Sequence, residues 1–310
     1  MRKDLLSVKD LSLKEIKDIF TLTKELKKYP GKFKAILSGK TLALIFEKPS
    51  NRTYVSFSVG MYQLGGNSVY LGPEQIKLRV RETIGDVANT LARYVDGIVL
   101  RTFEHQNLLD MAKAASVPVI NGLSDFSHPC QALADVYTIS EKLKNKKDIT
   151  LAYIGDGNNV CNSLLYACAK TGINMNVATP KGYEPDSGVF RGSQSLAKQQ
   201  DKEIKLFHNP QEAVKYADVL YTDVWASMGQ EKEARLRKKI FSGFQIDNSL
   251  VKRTKKGVLI MHCLPAHRGE EITASVIDSP NSIVFDQAEN RMHVQKAILI
   301  KLMGNKKCKR

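Results

Sequence analysis

From Thr41 to Cys263 the chain repeats one pattern: a short, almost uninterrupted apolar run, then a segment with apolar residues at helical spacing. An apolar run with no polar alternation suits a strand buried on both faces, and helices between strands provide the crossovers that parallel pairing needs. The first series places strands at 41-TLALIFE-47, 67-NSVYLG-72, 97-GIVLR-101 and 117-VPVIN-121, with helices over 53–65, 82–94, 105–115 and 129–143. An amphipathic helix carrying Leu13, Ile16, Ile19 and Phe20 precedes them, N-capped by Ser12 and ending at Pro30-Gly31. After the charged stretch 141–148 the series restarts, with strands at 149–155, 173–179, 204–208 and 218–224 and helices over 160–171, 187–200 and 210–217. It closes with strands at 257-GVLIMHC-263 and 283-IVFD-286 and a helix from Gln287 to Leu302. The expected fold class is α/β: two doubly wound parallel-sheet domains joined by a hinge, with ligands at the carboxyl ends of the strands. The domains are expected over 1–140, with the C-terminal helix 287–310 packing back on it, and over 141–286.

The length of 310 residues suits two such domains, and 43% hydrophobic residues are enough for their cores. A net charge of +15 predisposes the surface to anions. The basic residues are nevertheless interspersed with acids, as in 231-EKEARLRKK-239, and lack interleaved aromatics, so a nucleic-acid partner is not expected. Five cysteines without a C-x-x-C pair argue against a disulfide framework or a zinc ribbon, and a reducing cytoplasm is the expected location. The N-terminus carries charges where a signal peptide needs an apolar core, and no membrane span is expected.

Two nucleotide signatures fail on inspection. The triplet 39-GKT-41 lacks the Gly five residues earlier that a phosphate-binding loop needs, and it precedes a strand. The string 155-GDGNNV-160 follows a strand, but Val160 replaces the third Gly and no ribose-binding acid ends the next strand, leaving an NAD-dependent oxidoreductase as a distant alternative. At the end of the first strand, Lys48, Ser50, Arg52 and Thr53 crowd a helix start, where free N–H groups and the positive dipole end favour an anion. Arg101 ends another strand, and His128 and Gln131 of 128-HPCQ-131 begin a helix, so Arg, His and Gln side chains can converge on an oxyanion. Asp223 ends a strand ahead of the only Trp, where a carboxylate suits a cationic amine or a helix cap. His262 and Cys263 are adjacent on a strand, so their side chains are expected to diverge and not to form a dyad or a metal site.

Taken in order, 50-SNRT-53, 128-HPCQ-131, 155-GDGNN-159, 223-DVWASMG-229, 262-HCLP-265 and 289-ENR-291 resemble the aspartate/ornithine carbamoyltransferase family, in its ornithine branch, across nearly the whole chain. The resemblance implies transfer of a carbamoyl group from carbamoyl phosphate to the δ-amine of L-ornithine in an interdomain cleft, giving L-citrulline and phosphate in arginine metabolism. No metal or organic cofactor is implied. It implies that Ser50, Asn51, Arg52 and Thr53 hold the phosphate, with Arg101, His128 and Gln131 around the carbamoyl end and Arg291 returning from the last motif. Asn159, Asp223, Ser227 and Met228 match positions that hold the amino acid's α-groups, and Cys263 and Leu264 match positions near the reacting δ-amine and carbonyl. Arg101, His128 and Cys263 are thus the expected catalytic residues. A homotrimer or a multiple of trimers is implied, with Lys77 reaching a neighbour's phosphate site in trans. Putrescine or another amine remains the alternative acceptor.

The chain departs from the family pattern at four single positions and in one short segment. Asn51 replaces a Thr, Tyr54 a second Arg, Ser58 a frequent Glu and Lys77 a Gln, and 78-LRVR-81 lacks the usual glycines.

Overall fold

A computed structural model describes residues 3–144, 146–226 and 233–304. Contacts divide the chain into two units, residues 1–134 with 290–310 and residues 135–289. The first unit carries a four-stranded parallel sheet in the order β2-β1-β3-β4, formed by β1 (Thr41–Phe46), β2 (Asn67–Leu71), β3 (Gly97–Arg101) and β4 (Val119–Leu123). The second carries a five-stranded parallel sheet in the order β7-β6-β5-β8-β9, formed by β5 (Thr150–Ile154), β6 (Asn174–Ala178), β7 (Ile204–Phe207), β8 (Val219–Thr222) and β9 (Leu259–His262). Central strands β3 and β8 are buried along their whole length, the signature of a parallel sheet covered on both faces. Edge strand β2 is largely exposed.

Helix α1 (Leu13–Lys28) opens on a reciprocal capping box: Glu15 N–H donates to Ser12 Oγ at 3.2 Å and Ser12 N–H to Glu15 Oε2 at 2.8 Å. It buries Ile16, Ile19, Thr23 and Leu26, one stripe at helical spacing. Helix α2 (Asn51–Gln63) follows β1, α3 (Pro73–Ile76) and α4 (Ile84–Leu91) follow β2, and α5 (His105–Ala114) follows β3. Helix α6 (Pro129–Lys142) then leads into the second unit. That unit adds α7 (Asn159–Thr171), α8 (Ser187–Lys198), α9 (Pro210–Ala213), α10 (Ala234–Phe241), α11 (Asn248–Val251) and α12 (Ala274–Ile277), and α13 (Val284–Met303) ends the described chain. The division between units falls within α6 and within α13.

Three sequence expectations need correction. Residues 283–286 are not a strand: Ser282 makes one isolated bridge to Ile260, and Val284 already begins α13, whose buried residues Val284, Gln287, Asn290, Arg291 and Val294 recur at helical spacing. The helix expected over 210–217 is a single turn, α9. The charged segment 231–239, read above only for its charge, contributes most of α10, whose Arg237 and Phe241 are buried.

Candidate functional site

Strand register positions each half-site. In the first unit Phe46 pairs with Arg101, so β1 and β3 end together at the point where the sheet reverses its order of addition. Glu47 extends this alignment by donating its N–H to the Arg101 carbonyl at 2.8 Å, and its carboxylate accepts from the Thr102 hydroxyl and, at 3.3 Å, from Asn107 Nδ2. Ser50 caps α2, accepting from Thr53 N–H at 3.3 Å, and Asn51 and Arg52 form the first turn. The fully buried Thr53 hydroxyl accepts from Arg291 at 2.6 Å, which brings α13 onto α2 across 238 positions of sequence.

Around this helix start the charge is concentrated. Burial together with the positive fields of Arg291 and Arg52 lowers the Arg101 guanidinium to about 10. His128, buried at the start of α6, is held well below the usual imidazole value by burial and by the fields of Arg291 and Arg101. Gln131 is buried one turn along the same helix. Three guanidinium groups, a neutral imidazole and a helix N-terminus form a cradle for a multiply charged anion, since each like-charge repulsion is relieved when the anion arrives.

In the second unit Ile154 pairs with Thr222 and Thr222 with His262, so Gly155, Asp223 and Cys263 are the first residues past three aligned strand ends. Asp223 accepts from Cys263 Sγ at 2.9 Å and Val224 N–H at 2.8 Å through Oδ1, and from Asn158 Nδ2 at 2.8 Å through Oδ2. A thiol that donates to a carboxylate keeps its proton, which is the opposite of an activated nucleophile. Asn158 also caps α7, its Oδ1 accepting from Val160 and Cys161 N–H groups, and Asn159 is the first helical residue. Gly157 allows close backbone approach: a Cβ there would lie 2.2 Å from Pro185 N.

His262 and Cys263 do not diverge as strand alternation predicts, since Cys263 lies beyond the end of β9 and Leu264 takes a left-handed φ of 59°. Their side-chain donor atoms and a carboxylate oxygen of Asp223 lie within 4.8 Å of one another. A metal there would compete with existing bonds: His262 Nδ1 accepts from Leu264 N–H at 2.9 Å, leaving Nε2 to donate to buried Glu271 Oε1 at 3.0 Å. His267, Glu270 and Glu271 form a second group with ligand-like spacing, in which Glu270 pairs with Lys238 at 2.6 Å.

Several sequence-predicted residues lie elsewhere. Ser227 and Met228 fall outside the described residues. Lys77, in a left-handed conformation after α3, has its ammonium 3.7 Å from Glu74. Tyr54 packs on Tyr70 with ring centroids 4.8 Å apart, and the Ser58 hydroxyl accepts from Ser68 at 3.0 Å, so both departures from the family pattern have partners on β2. A surface hollow of about 730 Å³ lined by Arg79, Arg81, Asp110 and Lys113 contains none of the predicted site residues. Sequence reasoning gave no role to Asn158, which orients Asp223, and weighed His262 only for a dyad or metal site, where it instead accepts from the Leu264 N–H. A capping Asn after Gly-Asp-Gly was the one available signal for Asn158.

Residues 3–141 match the aspartate/ornithine carbamoyltransferase carbamoyl-P binding domain, and residues 147–302 match the Asp/Orn binding domain of the same description. A relative from Thermococcus kodakarensis named ornithine carbamoyltransferase is 55% identical over 304 residues, covering 97% of this chain and 96% of its own. A Pyrococcus furiosus relative named ornithine carbamoyltransferase, anabolic, is 54% identical over 304 residues with the same coverage. Among solved structures, ornithine carbamoyltransferase from Pyrococcus furiosus matches with a TM-score of 0.93 at 54% identity, over 97% of this chain and 96% of that one. The Gloeobacter violaceus enzyme of the same name matches with a TM-score of 0.89 at 44% identity, over 98% and 99%.

Proposed function

The chain belongs to the aspartate/ornithine carbamoyltransferase family, and from that premise we propose that it transfers the carbamoyl group of carbamoyl phosphate to L-ornithine. The observation that carries this reading is the guanidinium cluster of Arg52, Arg101 and Arg291 at the start of α2, in the half of the chain that matches a carbamoyl-phosphate domain. Ser50, Asn51, Arg52 and Thr53 hold the phosphate, Arg101, His128 and Gln131 the carbamoyl oxygen and nitrogen, and Arg291 reaches the same anion through its position on Thr53. Asn159 and Asp223, with Ser227 and Met228, take the α-groups of ornithine, while Cys263 and Leu264 line the reacting end. The anabolic name carried by one relative supports a biosynthetic direction.

Chemically, a δ-amine with a lysine-like pKa of about 10.4 is protonated at pH 7 by a ratio of roughly 2,500, so making the nucleophile costs about 4.6 kcal/mol. The nucleophile is the neutral amine, so ornithine must react with its δ-nitrogen deprotonated. Attack on the carbamoyl carbon forms a C–N bond and puts negative charge on the carbonyl oxygen. Arg101 and neutral His128 donate to that oxygen, and as the carbonyl re-forms the C–O bond to phosphate breaks, the phosphate leaving toward Arg52 with the proton that the amine nitrogen gives up. Cys263, protonated against Asp223, aligns the amine and forms no covalent intermediate.

Oligomerisation belongs to the same proposal. Tyr54, Val55, Val59 and Tyr62 of α2 and Val69 and Tyr70 of β2 leave an exposed apolar face on the first unit, which supports burial between copies in a trimer. Free thiols at the buried Cys130, Cys161 and Cys168 support a reducing cytoplasm.

The test is a citrulline assay with four acceptors. Ornithine should exceed putrescine, N-acetylornithine and aspartate in kcat/KM by about 100-fold or more, because a site with buried partners for absent polar groups rejects the analogue lacking them. Comparable rates with putrescine would transfer the assignment to a diamine.

A further inference from the structure

One buried cation in the second unit is left without a role by the reaction as described. Arg237, on the inward face of α10, is 7% exposed. Its NH1 donates to Asp156 Oδ2 at 2.9 Å and to the Trp225 carbonyl at 3.0 Å, and its Nε donates to Glu233 Oε2 at 3.0 Å. The guanidinium carbon stands 5.1 Å from the Tyr183 ring centroid. Trp225 stacks on Phe241 of the same helix with centroids 6.0 Å apart, and Phe241 meets Tyr183 edge-on at 4.9 Å.

The placement of these partners carries the argument. Asp156 lies two residues before Asn158, and Trp225 lies two residues after Asp223. Asn158 and Asp223 are themselves joined at 2.8 Å. Two loops that leave neighbouring strands, one after β5 and one after β8, are therefore tied twice, by Asn158 to Asp223 and by Arg237 to both flanks. Tyr183 completes the frame, since its carbonyl accepts from Gly157 N–H at 2.9 Å.

We propose that Arg237 is a positioning residue for the amino-acid half-site, holding the loops after β5 and β8 in the register that lets Asn158 orient Asp223. The proposal rests on the reading of Asp223 as the ornithine-binding carboxylate. A planar fork with several donors in fixed directions serves three acceptors at once, which a lysine ammonium on a flexible stem does not reproduce. Without the fork, Asp156 is a buried carboxylate lacking its counterion and the Trp225 carbonyl loses its donor, so both loops relax away from Asp223.

The experiment uses the intact enzyme with Arg237→Gln, Arg237→Lys and Asp156→Asn. Steady-state kinetics in both substrates and thermal unfolding are measured side by side. For Arg237→Gln the KM for ornithine should rise about tenfold or more while the KM for carbamoyl phosphate stays within about twofold. Arg237→Lys should fall between it and the wild type, and Asp156→Asn should shift the same KM in the same direction. A purely structural role would lower kcat with the folded fraction and leave both KM values in place, and that result overturns the proposal. So does an unchanged ornithine KM in folded Arg237→Gln. If Arg237→Gln does not fold, the other two variants decide by the same comparison, and failure of all three to fold assigns Arg237 to stability alone and also overturns it. A wild type that fails to carbamoylate ornithine sinks the functional reading instead, which the first assay reveals before any variant is compared.

Discussion

Arg52, Arg101 and Arg291 raise one another's electrostatic energy at the start of α2, and His128 answers by staying neutral. The consequence is thermodynamic as well as chemical. A histidine whose folded pKa lies below its unfolded value of about 6.5 binds a proton more readily in the unfolded chain, so stability is fully present above pH 6.5 and is lost as pH falls below it. The slope is up to about 1.4 kcal/mol per pH unit for this group. His128→Asn should remove it: denaturant midpoints of wild type and variant, measured from pH 7.5 to 5, should converge as the wild type loses its advantage. Parallel curves would show that His128 titrates normally. Neutrality also fits the proposed chemistry, because an imidazole N–H can donate to the carbamoyl oxygen without adding a fourth charge to the cradle.

Among the elements, the turn from β5 to α7 shows how one short string serves packing before it serves chemistry. In 155-GDGNN-159 the first Gly adopts φ 144°, the Asp meets Arg237, the second Gly admits the 184–185 backbone, and Asn158 caps the helix while holding Asp223. A side chain at Gly157 has nowhere to go, since the contacts at 2.2 and 2.3 Å are to backbone atoms of Pro185 and Glu184. Gly157→Ala should therefore destabilise by about 1–3 kcal/mol. It should also raise the ornithine KM by displacing Asn158. Gly243→Ala, at a position with nothing within 4 Å, is the control and should leave the denaturant midpoint unchanged. Equal midpoints for the two variants would refute the packing account of this glycine.

For the whole molecule the question is whether the active site is complete within one chain. Lys77 lies in a segment bounded by left-handed Lys77 and Arg79, with its ammonium toward Glu74 at 3.7 Å, and Val80 beside it is strongly exposed. If this segment meets a neighbouring copy, Lys77 adds a cation to that copy's phosphate site and compensates for Tyr54 standing where a second Arg is usual. Mixing two inactive variants, Arg52→Ala and Lys77→Ala, should then restore part of the activity, because mixed assemblies would contain some interfaces with both residues intact. Full activity of Lys77→Ala alone, or no recovery after verified subunit exchange, would return Lys77 to the solvent.

How much of this was legible in the chain follows from the range of each interaction. Apolar runs and helical stripes are local, so the strand–helix alternation, the parallel α/β class and the capping role of Ser12 could be read directly. Order-preserving motifs likewise pointed to the residues at strand ends. Local pattern misled at 283–286, where the apolar residues Ile283, Val284 and Phe285 fit a strand or the first turn of a helix equally well and packing chose the helix. Strand order and register were decided only in three dimensions. They depend on which strands pair across tens of residues, and they bring Gly155, Asp223 and Cys263 level with one another. The same holds for the bond between Arg291 and Thr53, for Arg237 between two loops, and for His262 turned onto Glu271. Composition and periodicity carry no distance information between such positions; the folded chain supplies it, because burying these polar groups is tolerable only where each finds its partner.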